Sequence, residues 1–112
     1  MSTAKSRKAK GRRLQNFVRD LLRQAFSSLH DDDIKSQTMG MSGEDIVLSP
    51  AARELIPYSF ECKNQEAISI WACLKQTEVN CPEDRSPVLI FKKNNSKTYA
   101  VIEIDKFMEL IE

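Results

Sequence analysis

The chain has a single histidine, His30. Histidine-based nuclease chemistry and Ser-His-Asp chemistry both need an imidazole to move a proton, so they have little support here. Its three cysteines, Cys62, Cys73 and Cys81, are an odd number with no C-x-x-C pair. That pattern argues against a disulfide framework and a zinc site, and fits reduced thiols in a cytoplasmic protein. No apolar run approaches the ~18 residues of a membrane span. The opening MSTAKSRKAKGRR is basic but has no apolar h-region, so it does not read as a secretory signal. No internal repeat or low-complexity block is present.

What is there suits one domain. The chain has 112 residues, 41% hydrophobic and 29% charged, enough for a single modest core of ordinary globular composition. The net charge of +1 hides an asymmetry. Residues 1–25 hold eight Lys or Arg against one acid, Asp20, whereas the rest holds nine against fifteen acids. A local basic segment on a nearly neutral chain is a candidate phosphate-binding surface, with a solubilising tail and a solvated helix face as the bland alternative.

The pattern predicts a basic tail without structure over residues 1–6 and one domain over residues 7–112. Leu14, Phe17, Val18, Leu21, Leu22, Ala25, Phe26 and Leu29 repeat at helical spacing and predict an amphipathic helix from about Arg7 to Ser28. His30 falls at its end, where it would meet the last carbonyls. Then come strands at IKSQTM and DIVLS joined by the turn GMSG, a short helical piece at AARELI, and a strand at YSFECKN. A helix at ISIWACLKQTEVN follows, with Ile70, Cys73 and Leu74 inward and Trp71 packed. The surface loop CPEDRSP leads to strands at VLIFKKN and TYAVIEI. The helix DKFMELIE closes the chain, with Asp105 as its N-cap. The expected fold class is α/β, a mixed five-stranded sheet flanked by helices in the order α-β-β-β-α-β-β-α. Its β-α-β unit should be a right-handed parallel crossover.

The candidate chemistry lies on two strands. Side chains alternate along a strand, so Tyr58, Phe60 and Cys62 face one way and Ser59, Glu61 and Lys63 the other. Glu61 and Lys63 form either an ion pair or a site. Asp45 opens the preceding strand; it could cap the turn, or it could converge on Glu61 if the two strands are neighbours. Glu44 before it reads as an exposed turn charge. Two convergent carboxylates make a hard-oxygen site for Mg²⁺ or Mn²⁺. A lysine beside them can orient or help deprotonate a water for attack on a phosphodiester.

The arrangement of Asp45 with E-x-K at Glu61 and Lys63, followed by a helix, resembles the PD-(D/E)XK nuclease superfamily. It is most similar to the small Holliday-junction resolvases of archaea and phages. KGRRLQ sets Lys10 and Gly11 where those proteins carry KG on a first helix, and Gln15 stands where they usually have a glutamate. Gln76 in CLKQTE matches the glutamine often found after E-x-K, and Glu44 replaces the proline common before the aspartate. The resemblance implies a restriction-endonuclease-like core and a metal-dependent DNA endonuclease, structure-selective in the manner of a junction resolvase. Asp45, Glu61 and the Cys62 backbone carbonyl would hold Mg²⁺ or Mn²⁺. Lys63 would act on the water, and Gln15 and Gln76 would assist. Lys8, Lys10, Arg12 and Arg13 would grip phosphates. The expected partners are DNA, branched or junction-shaped, and a second copy in a homodimer, with no membrane. The expected place is the cytoplasm, that of a bacterial host if the chain is phage-encoded. Phe107, Met108, Leu110 and Ile111 would join a dimer interface or the core. A nicking, restriction-like or homing nuclease, or a non-catalytic nucleic-acid-binding module of the same fold, is the alternative.

Overall fold

The structure is a computed structural model that describes residues 3–38, 40, 41 and 43–112. Met1 and Ser2 of the expected tail, Met39 at the end of the expected first strand and Ser42 of the expected turn lie outside the described residues. The described residues form four α-helices and five strands in a mixed α/β arrangement. No helix among them is long and apolar enough to cross a membrane.

Helix α1 spans Ala4–Ala25, so it begins earlier than the apolar periodicity indicated. Thr3 caps it, its Oγ1 accepting from the Ser6 N–H at 3.0 Å. The expected unstructured tail is therefore, from Thr3 on, a cap and a first helical turn. Leu14 and Val18 are buried, with Leu22 and Phe26 packed behind them. Phe17 and Leu21, expected in the same stripe, are about half exposed. Lys10 and Gln15 are buried instead. After α1 comes a single 3₁₀ turn at Asp31–Asp33. Its carbonyl at Asp31 and the Ile34 carbonyl are engaged by Arg23, at 2.9 and 3.0 Å. His30 is exposed and joins the turn through its backbone, its N–H donating to Asp33 Oδ2 at 2.8 Å and its carbonyl accepting from the Asp33 N–H at 2.9 Å.

Strands β1 (Ile34–Ser36) and β2 (Ile46–Leu48) pair antiparallel, Ile34 opposite Leu48. The expected hairpin is present. Gly40 and Gly43 in its connection have φ of 86° and 97°, a left-handed region that costs other residues strain. Helix α2 (Pro50–Leu55) starts with proline at its first position and the Ser49 hydroxyl as cap, as helix starts favour. Strand β3 (Tyr58–Asn64) runs parallel to β4 (Ser86–Lys92), and β4 runs antiparallel to β5 (Tyr99–Ile102). Helix α3 (Ile70–Asn80) connects β3 to β4.

The expected single five-stranded sheet is two sheets, β1-β2 and β3-β4-β5. The separation has a local cause. At the junction of β2 and β3 one backbone bond forms, Asp45 N–H to Phe60 O at 3.1 Å. The Cys62 N–H donates to the Asp45 carboxylate at 2.7 Å. A side-chain oxygen thus takes a donor that a strand ladder would have used. The core runs across both sheets all the same, with Leu14, Val18, Ile34, Ile46, Leu48, Ala52, Ile56, Phe60, Cys62 and Val88 in one cluster.

Three further expectations change. Trp71 is 83% exposed rather than packed. Helix α4 (Ile104–Ile111) buries none of its residues, so Phe107, Met108, Leu110 and Ile111 are not core, and its N-cap is Glu103 with Asp105 in the first turn. The loop before β4 is not wholly superficial, because Arg85 within it is buried.

Candidate active site

Strand β3 carries the site because its two faces meet different surroundings. Phe60 and Cys62 turn into the core cluster. Glu61 turns toward α3, where Asn80 Nδ2 lies 3.5 Å from its Oε2. Glu61 is only 4% exposed, and its nearest cation is Lys63, Nζ to Oε1 3.6 Å. Asp45 approaches from the start of β2 and is fixed by the Cys62 N–H. Asp45, Glu61, Cys62 and Lys63 line one cleft of about 470 Å³ with Gln15, Gln76 and Asn80.

The electrostatics are those of two carboxylates short of solvation. Burial raises the affinity of Asp45 for a proton, only partly offset by the Cys62 N–H and Lys63. Burial raises Glu61 as well, and the neighbouring Asp45 charge adds to it, against Lys63 and Asn80. The Cys62 thiol is pushed up by its burial and then by the two carboxylates, so it is not a nucleophile. One ammonium does not compensate both acids, and a cation placed between them would.

Gln15 supplies a third oxygen. Its Oε1 is buried with no hydrogen-bond partner among the described residues, which for a buried acceptor is costly unless something meets it. Among the described residues no three His, Cys, Asp or Glu gather for a metal. A ligand set here would therefore comprise two carboxylates with amide or backbone oxygens. That all-oxygen set fits a hard divalent cation such as Mg²⁺ or Mn²⁺ and disfavours a thiolate-bound one.

The basic residues divide. Lys8 lines the cleft, on the same helix stripe as Gly11 and Gln15 at spacings of three and four. Arg12 and Arg13 are exposed and do not line it. Lys10 does not match the expected phosphate grip. It is 7% exposed, pairs with Glu66 at 3.4 Å, and its carbonyl accepts from Asn64 Nδ2 at 3.2 Å. Its apolar stem is part of the helix–sheet packing, and a phosphate would have to displace Glu66 to reach the ammonium. Arg7, Asn64 and Asn80 line the cleft without having been singled out from the sequence. Asn80 was legible, since it lies one turn beyond Gln76 on α3. Arg7 and Asn64 carried no such signal.

Comparison with protein-family models, with curated proteins and with solved structures found no match.

Proposed function

We propose that this protein is a metal-dependent DNA endonuclease that selects branched or otherwise distorted DNA by shape. The observation that carries the reading is the convergence of the partly buried Asp45 and the buried Glu61, both with raised proton affinity, with the unpartnered Gln15 Oε1 and Lys63 in one open cleft. Convergent carboxylates with a lysine match the chemistry of phosphodiester hydrolysis, and the chain's likeness to the PD-(D/E)XK pattern supports it.

Asp45, Glu61 and Gln15 would hold the cation, with the Cys62 carbonyl as a further oxygen by resemblance. Bound Mg²⁺ or Mn²⁺ supplies a lowered water pKa and offsets the charge that builds on the phosphate. Lys63, 3.6 Å from Glu61 and partly exposed, orients a water in the cleft by donating to it and steadies the developing negative charge. Gln76 and Asn80 form the α3 wall, where Asn80 holds Glu61 and Gln76 faces the substrate side of the cleft. Lys8 and Arg7 on the α1 wall contact the phosphates flanking the cut, and Arg12 and Arg13 extend that basic surface along the helix. The expected product is a nick with a 5′-phosphate.

Shape selection follows from size. Reading base edges requires side chains that reach a groove, and a 112-residue chain leaves little room for loops of that kind. Two copies, each presenting one cleft, would select strands by spacing and angle. The test is cleavage of a four-way junction, a duplex and a single strand with Mg²⁺ or EDTA. Preference for the junction across unrelated sequences supports the reading. Metal-dependent cleavage of one duplex sequence alone would keep the active site and replace shape selection by sequence recognition.

A further inference from the structure

Asp45 and Glu61 come from different sheets, and no strand ladder joins those sheets where the two carboxylates meet. Asp45 also follows directly on a connection containing Gly40 and Gly43, both in left-handed conformations. At Asp45 itself the segment meets β3 through one backbone bond, to the Phe60 carbonyl at 3.1 Å, and the Cys62 N–H, and a further contact one residue earlier adds to these. Its neighbour Glu44, expected to be an exposed turn charge, is instead nearly buried, with 12% of its side chain exposed. The partner is Arg85, whose side chain is 2% exposed.

Arg85 acts as a fork between the two sheets. Its Nη2 lies 2.6 Å from Glu44 Oε2 and its Nη1 donates to Glu44 Oε1 at 3.3 Å. Its Nε donates to the Tyr58 carbonyl at 3.1 Å, and Nη2 donates to the same oxygen. Tyr58 is the first residue of β3, the strand that carries Glu61. The adjacent Ser86 N–H reaches the Pro57 carbonyl at 2.9 Å, which seats the Arg85 loop on the start of that strand. Arg53 of α2 adds a longer contact to Glu44 Oε1, 3.8 Å. A planar guanidinium with donors at fixed angles sets direction as well as distance. For stability alone, an apolar pair of similar volume would serve as well as a buried ion pair.

We propose that Arg85, acting through Glu44, is a positioning residue that sets the Asp45 carboxylate against Glu61. The inference rests on the reading of the cleft as a metal site. Arg85 does not line the cleft. It fixes the residue before Asp45 to the strand that bears Glu61, and the Cys62–Asp45 hydrogen bond then fixes the carboxylate itself.

The test measures Mn²⁺ binding without DNA, by electron paramagnetic resonance, on folded protein well below its melting temperature. Two variants are compared with the wild type: the double Glu44→Leu with Arg85→Met, which leaves no unpaired buried charge, and Arg85→Lys, which keeps the charge and loses the fork. Metal affinity should fall on the order of ten- to a hundred-fold in both, as when groups that orient metal ligands are lost. Amide exchange at Cys62 should quicken in the metal-free state. Wild-type Mn²⁺ affinity in either folded variant overturns the proposal. Failure of both to fold also overturns it, because the pair would then be a requirement of the fold. A wild type that binds no Mn²⁺ refutes the metal site itself and with it the basis of the proposal.

Discussion

Replacing Glu61 by glutamine keeps the side chain's shape and removes its charge, and the sign of the resulting stability change separates two accounts of Glu61 and Lys63. As a structural ion pair, the two would stabilise the fold, and Gln would leave the Lys63 ammonium without its nearest counter-charge at 3.6 Å. Breaking a fully buried pair costs about 3–5 kcal/mol, and less where one partner is partly exposed as Lys63 is. As a metal site without its metal, Glu61 is instead a burden. Its proton affinity is raised by burial and by Asp45, so its charged form is less favourable in the folded chain than in the unfolded one. Single stabilising changes, including neutralisation of a strained site residue, commonly give about 0.5–2 kcal/mol. Glu61→Gln should then stabilise the metal-free protein by about 1 kcal/mol, roughly 4 °C in melting temperature at this chain length. The pH dependence gives the same sign. A carboxylate with a raised folded pKa contributes stability that is complete below its unfolded pKa of about 4.3 and is lost as pH rises through the folded value. In EDTA the advantage of Glu61→Gln should therefore appear above about pH 4.3 and grow toward neutrality. The assay is thermal unfolding followed by circular dichroism, from mildly acidic to neutral pH. A melting temperature several degrees below wild type at neutral pH would refute the reasoning and leave a structural ion pair.

Magnesium should raise the melting temperature of the wild type by about 2.7 kcal/mol equivalent at a hundredfold excess over its dissociation constant, roughly 10 °C. Because the cation displaces protons from Asp45 and Glu61, both with raised pKa, the shift should shrink as pH falls, and in Asp45→Asn it should vanish by calorimetry. Changing Arg7 and Lys8 to alanine should weaken binding to all DNA sequences alike and reduce the salt slope by about 0.9 per lost phosphate contact, read from titrations at several salt concentrations. Lys10→Ala should act differently, lowering the melting temperature, because Lys10 is buried and tied to Glu66. Trp71→Ala should change stability by less than about 0.5 kcal/mol in denaturant unfolding, since the indole is exposed.

Much of the element order was legible because local chemistry agreed with it. Ser49 and Pro50 mark the start of α2, Gly40 and Gly43 punctuate the hairpin, and the alternation in YSFECKN separates Phe60 and Cys62 from Glu61 and Lys63. The approach of Asp45 to that strand was expected only if the two strands were neighbours; they lie in different sheets, and the Cys62 N–H holds the carboxylate there. What was hidden depends on partners distant in sequence. Nothing around Glu44 signals that Arg85, forty-one residues on, will bury it. Lys10 looks like any other lysine of a basic helix until Glu66 and the Asn64 amide are found beside it. The division into two sheets follows from a carboxylate taking the Cys62 N–H, a single bond that strand propensity cannot anticipate. Trp71 was placed inward, and α4 in the core or a dimer interface, because apolar residues at helical spacing usually pack; here those faces are exposed.

The central claim is tested most directly by mapping the products formed from a four-way DNA junction. Purified wild type, Asp45→Asn and Glu61→Gln would each be incubated with Mg²⁺ and with EDTA, and binding measured in parallel by gel shift. The account predicts 5′-phosphorylated nicks with wild type and Mg²⁺ only, and no cleavage by either variant despite binding close to wild type. Cleavage in EDTA, or cleavage at wild-type rate by either variant, would contradict it.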